Sequence, residues 1–439
     1  MVLRKQLNIT RWKKESEMMK LEILPEKALV DTKLNIKITG VTPESRVKVG
    51  VSLRLPWASD VEYESSAWFT ADTNGQVDPA KQKPDEGSYD FIDPMGLVVS
   101  VKSTDPKALQ KIAQNISIDE DMYIEFVAEC GEEKVTARAE RYFKSPEIKS
   151  LRIMDEFVGE LFYTDEPGRP TILFIGGSGS GLAVDAPISA ALASHGFNVL
   201  SISFFGERNL PPRLSRVPLE YFEKVFDWVQ HNPITSGKEI WILGMSKGAE
   251  VSLILASRHP EIARVALWAP HAYCFQGIAF KNESSWTYQG KDLPFIRIKN
   301  LWVLAHMLEC FIKNKPFGYT PAFVKSLRLA NNKEDARIKI EKSNADFLFC
   351  TGMDCGMWNT YDGSMEIMDI LKTKNYPHAY ELIVYEDAGE PYYVPYVIPA
   401  GESSAKMMPR LTLSMGGTLQ GNAYAREDSW VKTIEFFNK

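Results

Sequence analysis

Five consecutive residues, Gly244-Met-Ser-Lys-Gly248, set a serine between two glycines directly after the apolar run from Ile240 to Leu243. A segment of helical character follows, from Ala249 to about Arg258. Strand, sharp turn and helix together form the setting of a G-x-S-x-G nucleophile elbow. The turn holds the serine in a strained backbone conformation, and side chains at the two glycine positions would collide with neighbouring elements. Ser246 would then stand above a sheet, at a helix N-terminus whose positive end favours an alkoxide or a tetrahedral oxyanion.

Acyl transfer by a serine also needs an oxyanion hole, an acid and a base. The run Gly176-Gly-Ser-Gly-Ser-Gly181 follows the apolar stretch Thr171 to Ile175. Backbone N–H groups at Gly177 and Ser178 could join that of Lys247 around a developing oxyanion. A flexible turn is the plainer reading; a Walker phosphate loop is excluded, because no Lys-Ser/Thr pair follows. The acid is expected after a later core strand, and Phe347-Leu-Phe-Cys-Thr-Gly-Met-Asp354-Cys355 supplies Asp354 there, with an ordinary surface aspartate as the alternative.

The base is expected after the last core strand, Ala379 to Tyr385. The loop that follows reads Glu386-Asp-Ala-Gly-Glu390 and holds no histidine; Glu390 stands in its place. Asp354 and Glu390 would then share a partly desolvated site and oppose each other's ionisation. Glu390 would need a raised pKa to serve as a base near neutrality. Among the six histidines only His271 lies just after the C-terminal end of a predicted strand, from where it could reach toward Ser246. A lone histidine in such a loop is more often structural. The cluster Arg208, Arg213 and Arg216 follows another strand end and is a candidate for holding phosphates, with a solvated charged loop as the alternative.

A chain of 439 residues exceeds one ordinary core, so two or three domains are expected. Residues 1–19 read as an N-terminal extension. Residues 20–150 alternate apolar and polar in short runs such as Leu34 to Ile38, Val47 to Leu53 and Met122 to Val127, the pattern of a small β-sandwich. Residues 151–439 change to continuous apolar strands separated by amphipathic helices, which predicts a mostly parallel sheet and an α/β-hydrolase core. The stretch 272–340 interrupts that alternation. It is rich in aromatics, shows no sheet-like run and reads as a cap over the strand ends.

The composition, 44% hydrophobic and 25% charged, is that of a soluble globular protein, and the net charge of −6 argues against a nucleic-acid binder. No apolar run approaches a membrane span. Five cysteines without paired metal-ligand spacing read as reduced thiols in a cytoplasmic protein. The scheme requires neither cofactor nor metal.

Motifs spread along nearly the full length resemble the acyl-CoA thioesterase / bile acid-CoA:amino acid N-acyltransferase family. They are Ile23-Leu-Pro-Glu-Lys-Ala-Leu-Val-Asp31, Ala71-Asp-Thr-Asn-Gly75, Asp93-Pro-Met-Gly-Leu97, Glu140-Arg-Tyr-Phe143, Gly244 to Glu250, Thr287-Tyr-Gln-Gly-Lys-Asp-Leu-Pro294, the Gly352 to Trp358 loop and Pro391-Tyr-Tyr-Val-Pro-Tyr396. The resemblance implies a β-sandwich followed by an α/β-hydrolase domain, acting on fatty or steroidal acyl-CoA thioesters. It also implies hydrolysis rather than transfer, since the family's thioesterases carry serine at the elbow and its amino-acid transferases cysteine. Two triad positions depart from the pattern. The family's histidine position is Glu390 here, and the position of its usual aspartate is Cys355, one residue beyond Asp354. A serine thioesterase with an unusual triad is therefore expected. The alternatives are a non-catalytic acyl-CoA binder and an esterase or acyltransferase of the same fold.

Overall fold

The computed structural model describes residues 18–439 apart from 106, 208, 236–238, 279–280, 391 and 402–403. Of the expected N-terminal extension, residues 1–17 lie outside the described residues, as does Arg208 of the basic cluster.

The first half of the β-structure is antiparallel except at Lys27–Leu29, which lies parallel to its neighbour. Arg46–Arg54 pairs with Tyr63–Thr70 on one side and Met122–Cys130 on the other. Glu133–Tyr142 continues the sheet, and Lys27–Leu29 joins it at the edge. Lys20–Leu24 and Asn35–Thr39 form a separate two-stranded sheet, completing the β-sandwich. Alternation produces this layer: along Tyr63–Thr70 every second side chain is buried, and Val47, Val49, Phe69 and Phe126 fill the core.

The remaining chain builds an eight-stranded sheet. Its strands, in chain order, are Lys149–Ile153 (β1), Val158–Tyr163 (β2), Thr171–Ile175 (β3), Asn198–Ser203 (β4), Ile240–Met245 (β5), Ile262–Trp268 (β6), Asp346–Gly352 (β7) and Tyr380–Tyr385 (β8). They lie side by side as β8-β7-β6-β5-β3-β4-β2-β1, parallel from β8 to β4, with β2 antiparallel to both neighbours. This is the α/β-hydrolase architecture. The longer helices are Leu182–Ala193 (α1), Glu220–His231 (α2), Lys247–Ala256 (α3), Asn300–Lys313 (α4), Thr320–Arg328 (α5), Thr360–Thr373 (α6) and Leu419–Phe437 (α7). Helices cover both faces, so a strand such as β3 is buried along its whole length and has no polar face. Among the described residues no helix is long and apolar enough to cross a membrane.

Between β6 and β7 the chain leaves the sheet and forms the segment that carries α4 and α5. It also holds two short strands, Trp286–Tyr288 and Lys291–Asp292, the first paired with Val217–Pro218. Strands of two or three residues are too short to reveal an alternating pattern, so none was expected there. After β8 a hairpin, Ser404–Met408 with Leu411–Ser414, precedes α7. Its continuation through Gly416 and Gly417 lies against the loops after β7 and β8.

Candidate active site

Ser246 joins β5 to α3 with φ 54° and ψ −117°, a conformation that a non-glycine residue adopts only under strain. Its N–H donates to the Trp268 carbonyl at 2.8 Å, which ties the turn to the end of β6. The flanking glycines are required by space. A Cβ on Gly248 would stand 2.0 Å from the Ile175 carbonyl oxygen, and one on Gly244 would stand 2.5 Å from the Ser252 hydroxyl. Helix α3 can therefore start directly against the end of β3.

The glycine loop after β3 reaches the elbow. A Cβ on Gly177 would lie 3.2 Å from the Ser246 Cβ and 3.4 Å from the Met245 carbonyl oxygen. Ser178 is exposed, and Lys247 contributes the first N–H of α3, which has no intrahelical acceptor. Behind the loop Asp185, in the first turn of α1, is fully buried. Burial pushes its carboxyl up to about 8, against the opposing effects of the Ser180 hydroxyl and the Gly181 N–H.

Glu390 faces Ser246. The Ser246 hydroxyl and the Cys355 thiol both act on its carboxyl as donors, with Cys355 Sγ 3.2 Å from Oε2. Glu390 keeps a partly accessible edge, but protein surrounds the rest of it. Burial raises its carboxyl to about 7, and the two donors restrain the rise. The Cys355 thiol is itself pushed well up, first by burial and then by the neighbouring Glu390, so it stays protonated. Three side chains thus form a row, Ser246–Glu390–Cys355.

The segment 414–417 holds this row. Glu390 N–H and Gly356 N–H both donate to the Met415 carbonyl, at 3.1 and 3.0 Å, and Cys355 bridges Gly416. A Cβ on Gly389 would meet the Met415 carbonyl oxygen at 2.2 Å, so the backbones pack without intervening side chains.

The expected partner Asp354 is placed elsewhere. It is exposed, and its carboxylate accepts from the Gly417 N–H at 2.9 Å. The chain turns at Met353-Asp354 after β7, and the bridge from Cys355 to Gly416 leaves Cys355 buried and Asp354 exposed. Glu390 therefore meets a neutral thiol rather than a second carboxylate.

His271 sits apart from this row, fully buried among Tyr273, Phe275 and Trp358. Its Nδ1 accepts from the Tyr273 N–H and its Nε2 donates to Asn359 Oδ1, both at 3.3 Å. Burial pushes it down to about 3, so it is a neutral packing residue near pH 7. Arg216 is paired with Asp292 and donates to the Gly290 carbonyl at 3.0 Å, bracing the short strands Trp286–Tyr288 and Lys291–Asp292. Arg213 is exposed. Beneath the elbow Lys247 Nζ lies 2.6 Å from Glu250 Oε1, both side chains almost wholly buried, and the Trp286 Nε1–H donates to the same oxygen at 2.7 Å. A concavity of about 570 Å³ on the N-terminal sheet, lined by Lys48, Glu64 and Glu125 among others, shares no residue with this site.

Residues 217–439 match the family described as BAAT / acyl-CoA thioester hydrolase C terminal, and residues 31–155 match the acyl-CoA thioester hydrolase/BAAT N-terminal region. The chain belongs to this family. Acyl-coenzyme A thioesterase 1 of Rattus norvegicus is 27% identical over 93% of this chain and 93% of its own length. Bile acid-CoA:amino acid N-acyltransferase of Mus musculus is 28% identical over 96% and 97% respectively. Among solved structures, an inhibited esterase B from Lactobacillus rhamnosis covers 67% of this chain and 88% of its own, at 11% identity and a TM-score of 0.40.

Within this acyl-CoA thioester hydrolase/BAAT member, two features escaped sequence reasoning. One is the contact of Cys355 with Glu390: the sequence marks Cys355 as standing at the family's usual aspartate position, but offers Asp354 as the acid. The other is the buried carboxyl of Asp185, for which an acidic residue in the first turn after a glycine loop gave only a helix-start signal.

Proposed function

We propose that this protein cleaves acyl-CoA thioesters, with Ser246 as nucleophile and Glu390 as its base. The observation that carries the reading is the pairing of a strained elbow serine with a carboxyl held at about 7. A base is most useful when its pKa lies near the working pH. An ordinary glutamate misses that condition by more than two powers of ten, and burial in this site removes the deficit.

The ionised Glu390 takes the proton from Ser246 as Oγ attacks the thioester carbonyl. Backbone N–H groups of Gly177, Ser178 and Lys247 are proposed to receive the oxyanion. Collapse breaks the C–S bond, and the departing coenzyme A sulfur takes the proton back from Glu390. A thiolate leaves far more readily than an amine, so a weak acid suffices at this step. Water then attacks the acyl-serine, again with Glu390 as base, and releases the carboxylic acid. Cys355 donates to the ionised Glu390 and orients it, the place an acid fills in other triads. Arg213 is proposed to meet coenzyme A phosphates; Arg216, already held by Asp292, is assigned to the cap instead. Five free thiols, four of them buried, suit a reducing compartment such as the cytoplasm.

Thiol release from long-chain acyl-CoA tests the reading. The parent should release free coenzyme A, and Ser246→Ala should reduce the rate by at least about 10³-fold. If acyl-CoA binds the parent without release of thiol at any pH, the protein is a binder and not a hydrolase.

A further inference from the structure

Helix α4 has two apolar faces. The inner one, through Val303, Met307 and Cys310, packs with Phe317 and Leu411 and accounts for the docking of the helix on the hairpin after β8. The outer one is unpartnered within the described residues. Leu301, Leu304, Leu308 and Ile312, spaced by three, four and four, share one side of the helix and are 81%, 55%, 58% and 70% exposed. Scattered exposed leucines are ordinary, but four in register on one helix, with half-exposed Trp302 beside them, form a patch that a chain in water does not need for folding.

The charges around the stripe identify its partner. From Arg297 to Lys333 the sequence carries seven lysines and arginines and a single acidic residue, Glu309, in a protein of net charge −6. Arg297, Lys313, Lys315 and Arg328 are exposed. Only Lys313 is offset by Glu309, at 2.6 Å, and Lys325 lies over the Trp302 ring at 4.6 Å. An apolar stripe with a basic rim and an aromatic at its border suits the interface of an anionic bilayer. A second copy is disfavoured, because a two-fold interface would bring the two basic rims together.

We propose that the outer face of α4 docks the protein onto anionic lipid bilayers. The same cap segment is tied to the catalytic row: the Thr320 hydroxyl donates to the Cys355 carbonyl at 2.6 Å, and the Phe317 N–H donates to the Thr412 carbonyl at 2.7 Å. The docked protein would thus hold its cap, and the loop that carries Cys355, next to a phase in which long acyl chains dissolve. The docking surface itself is independent of the chemistry at Ser246.

Co-sedimentation of the full chain with lipid vesicles tests this without reading activity. The protein should bind vesicles of phosphatidylcholine and phosphatidylserine at about three to one, bind phosphatidylcholine alone much less, and release from the mixed vesicles as salt rises. Leu304→Glu with Leu308→Glu should weaken binding at least about tenfold at an unchanged thermal midpoint, since both side chains are exposed. Lys315→Glu with Arg328→Glu should abolish the preference for the anionic lipid. No binding to either vesicle at low salt would overturn the proposal. So would equal binding by the double leucine variant. A parent that is dimeric by sedimentation, monomeric as that variant and indifferent to vesicles would assign the face to self-association instead.

Discussion

Glu390→Gln isolates what it costs to hold an ionised carboxylate in this site. The Glu390 carboxyl is raised from 4.5 to about 7. Each tenfold change in proton affinity is worth about 1.4 kcal/mol. Because the native state binds this proton more tightly than the unfolded chain, stability falls as pH rises between those two values. Below the unfolded value the group is protonated in both states and costs nothing. Above about 7 the full penalty applies, roughly 3.5 kcal/mol for complete enclosure and roughly 2–3 kcal/mol once the partly open edge is allowed for. Glutamine is neutral throughout, has nearly the same shape and keeps one acceptor oxygen, while its NH2 can donate to the serine oxygen. Urea unfolding across a pH series should therefore show the variant more stable than the parent by roughly 2–3 kcal/mol near pH 8, and equal to it near pH 4.5. Asp185, raised to about 8, lowers the parent's stability over an overlapping range, so the difference between variant and parent is the diagnostic quantity. A difference that stays flat with pH, or a variant less stable than the parent near pH 8, would refute desolvation as the force that sets Glu390.

Three other substitutions bear on the neighbouring groups. Cys355→Ala removes a donor that favours the ionised Glu390, so the rising limb of the pH–rate profile should move to higher pH; an unmoved limb would mean that the thiol does not act on Glu390. His271→Ala should cost about 2–4 kcal/mol by opening a cavity among Phe275 and Trp358 while leaving the pH–rate profile in place; loss of turnover in folded variant would instead make His271 the base. Lys247→Met leaves Glu250 buried without its cation and should cost about 3–5 kcal/mol in denaturant unfolding at neutral pH, with recovery when Glu250 is also replaced by glutamine.

Much of the frame was legible in the residues because it follows from periodicity. The continuous apolar runs at 171–175, 240–243 and 347–350 became β3, β5 and β7, and the alternating runs at 47–53 and 122–127 became strands of the N-terminal sandwich. The elbow was legible because packing forbids side chains at Gly244 and Gly248. The site was less so. Asp354 and Cys355 are neighbours in sequence, and only the bridge to Gly416, a segment some sixty residues on, decides which faces Glu390. The hairpin that supplies that segment contains Pro409 and polar residues and has no strong apolar signature. Nor does any local pattern report the enclosure that raises Glu390 and Asp185, since it comes from distant loops packed over them. The outer stripe of α4 reads in sequence like any buried helix; its exposure is visible only once the inner stripe is seen to satisfy the core.

The most direct test of the central claim is the pH dependence of covalent acylation in a single turnover. Protein mixed with one equivalent of long-chain acyl-CoA would be quenched and the modified residue located by peptide mass spectrometry. An acyl group is expected on Ser246, formed at a rate that rises with pH through about 7 as Glu390 ionises, with no such rise in Glu390→Gln. An acyl group on Cys355, or acylation of Ser246 that proceeds unchanged in Glu390→Gln, would contradict the claim.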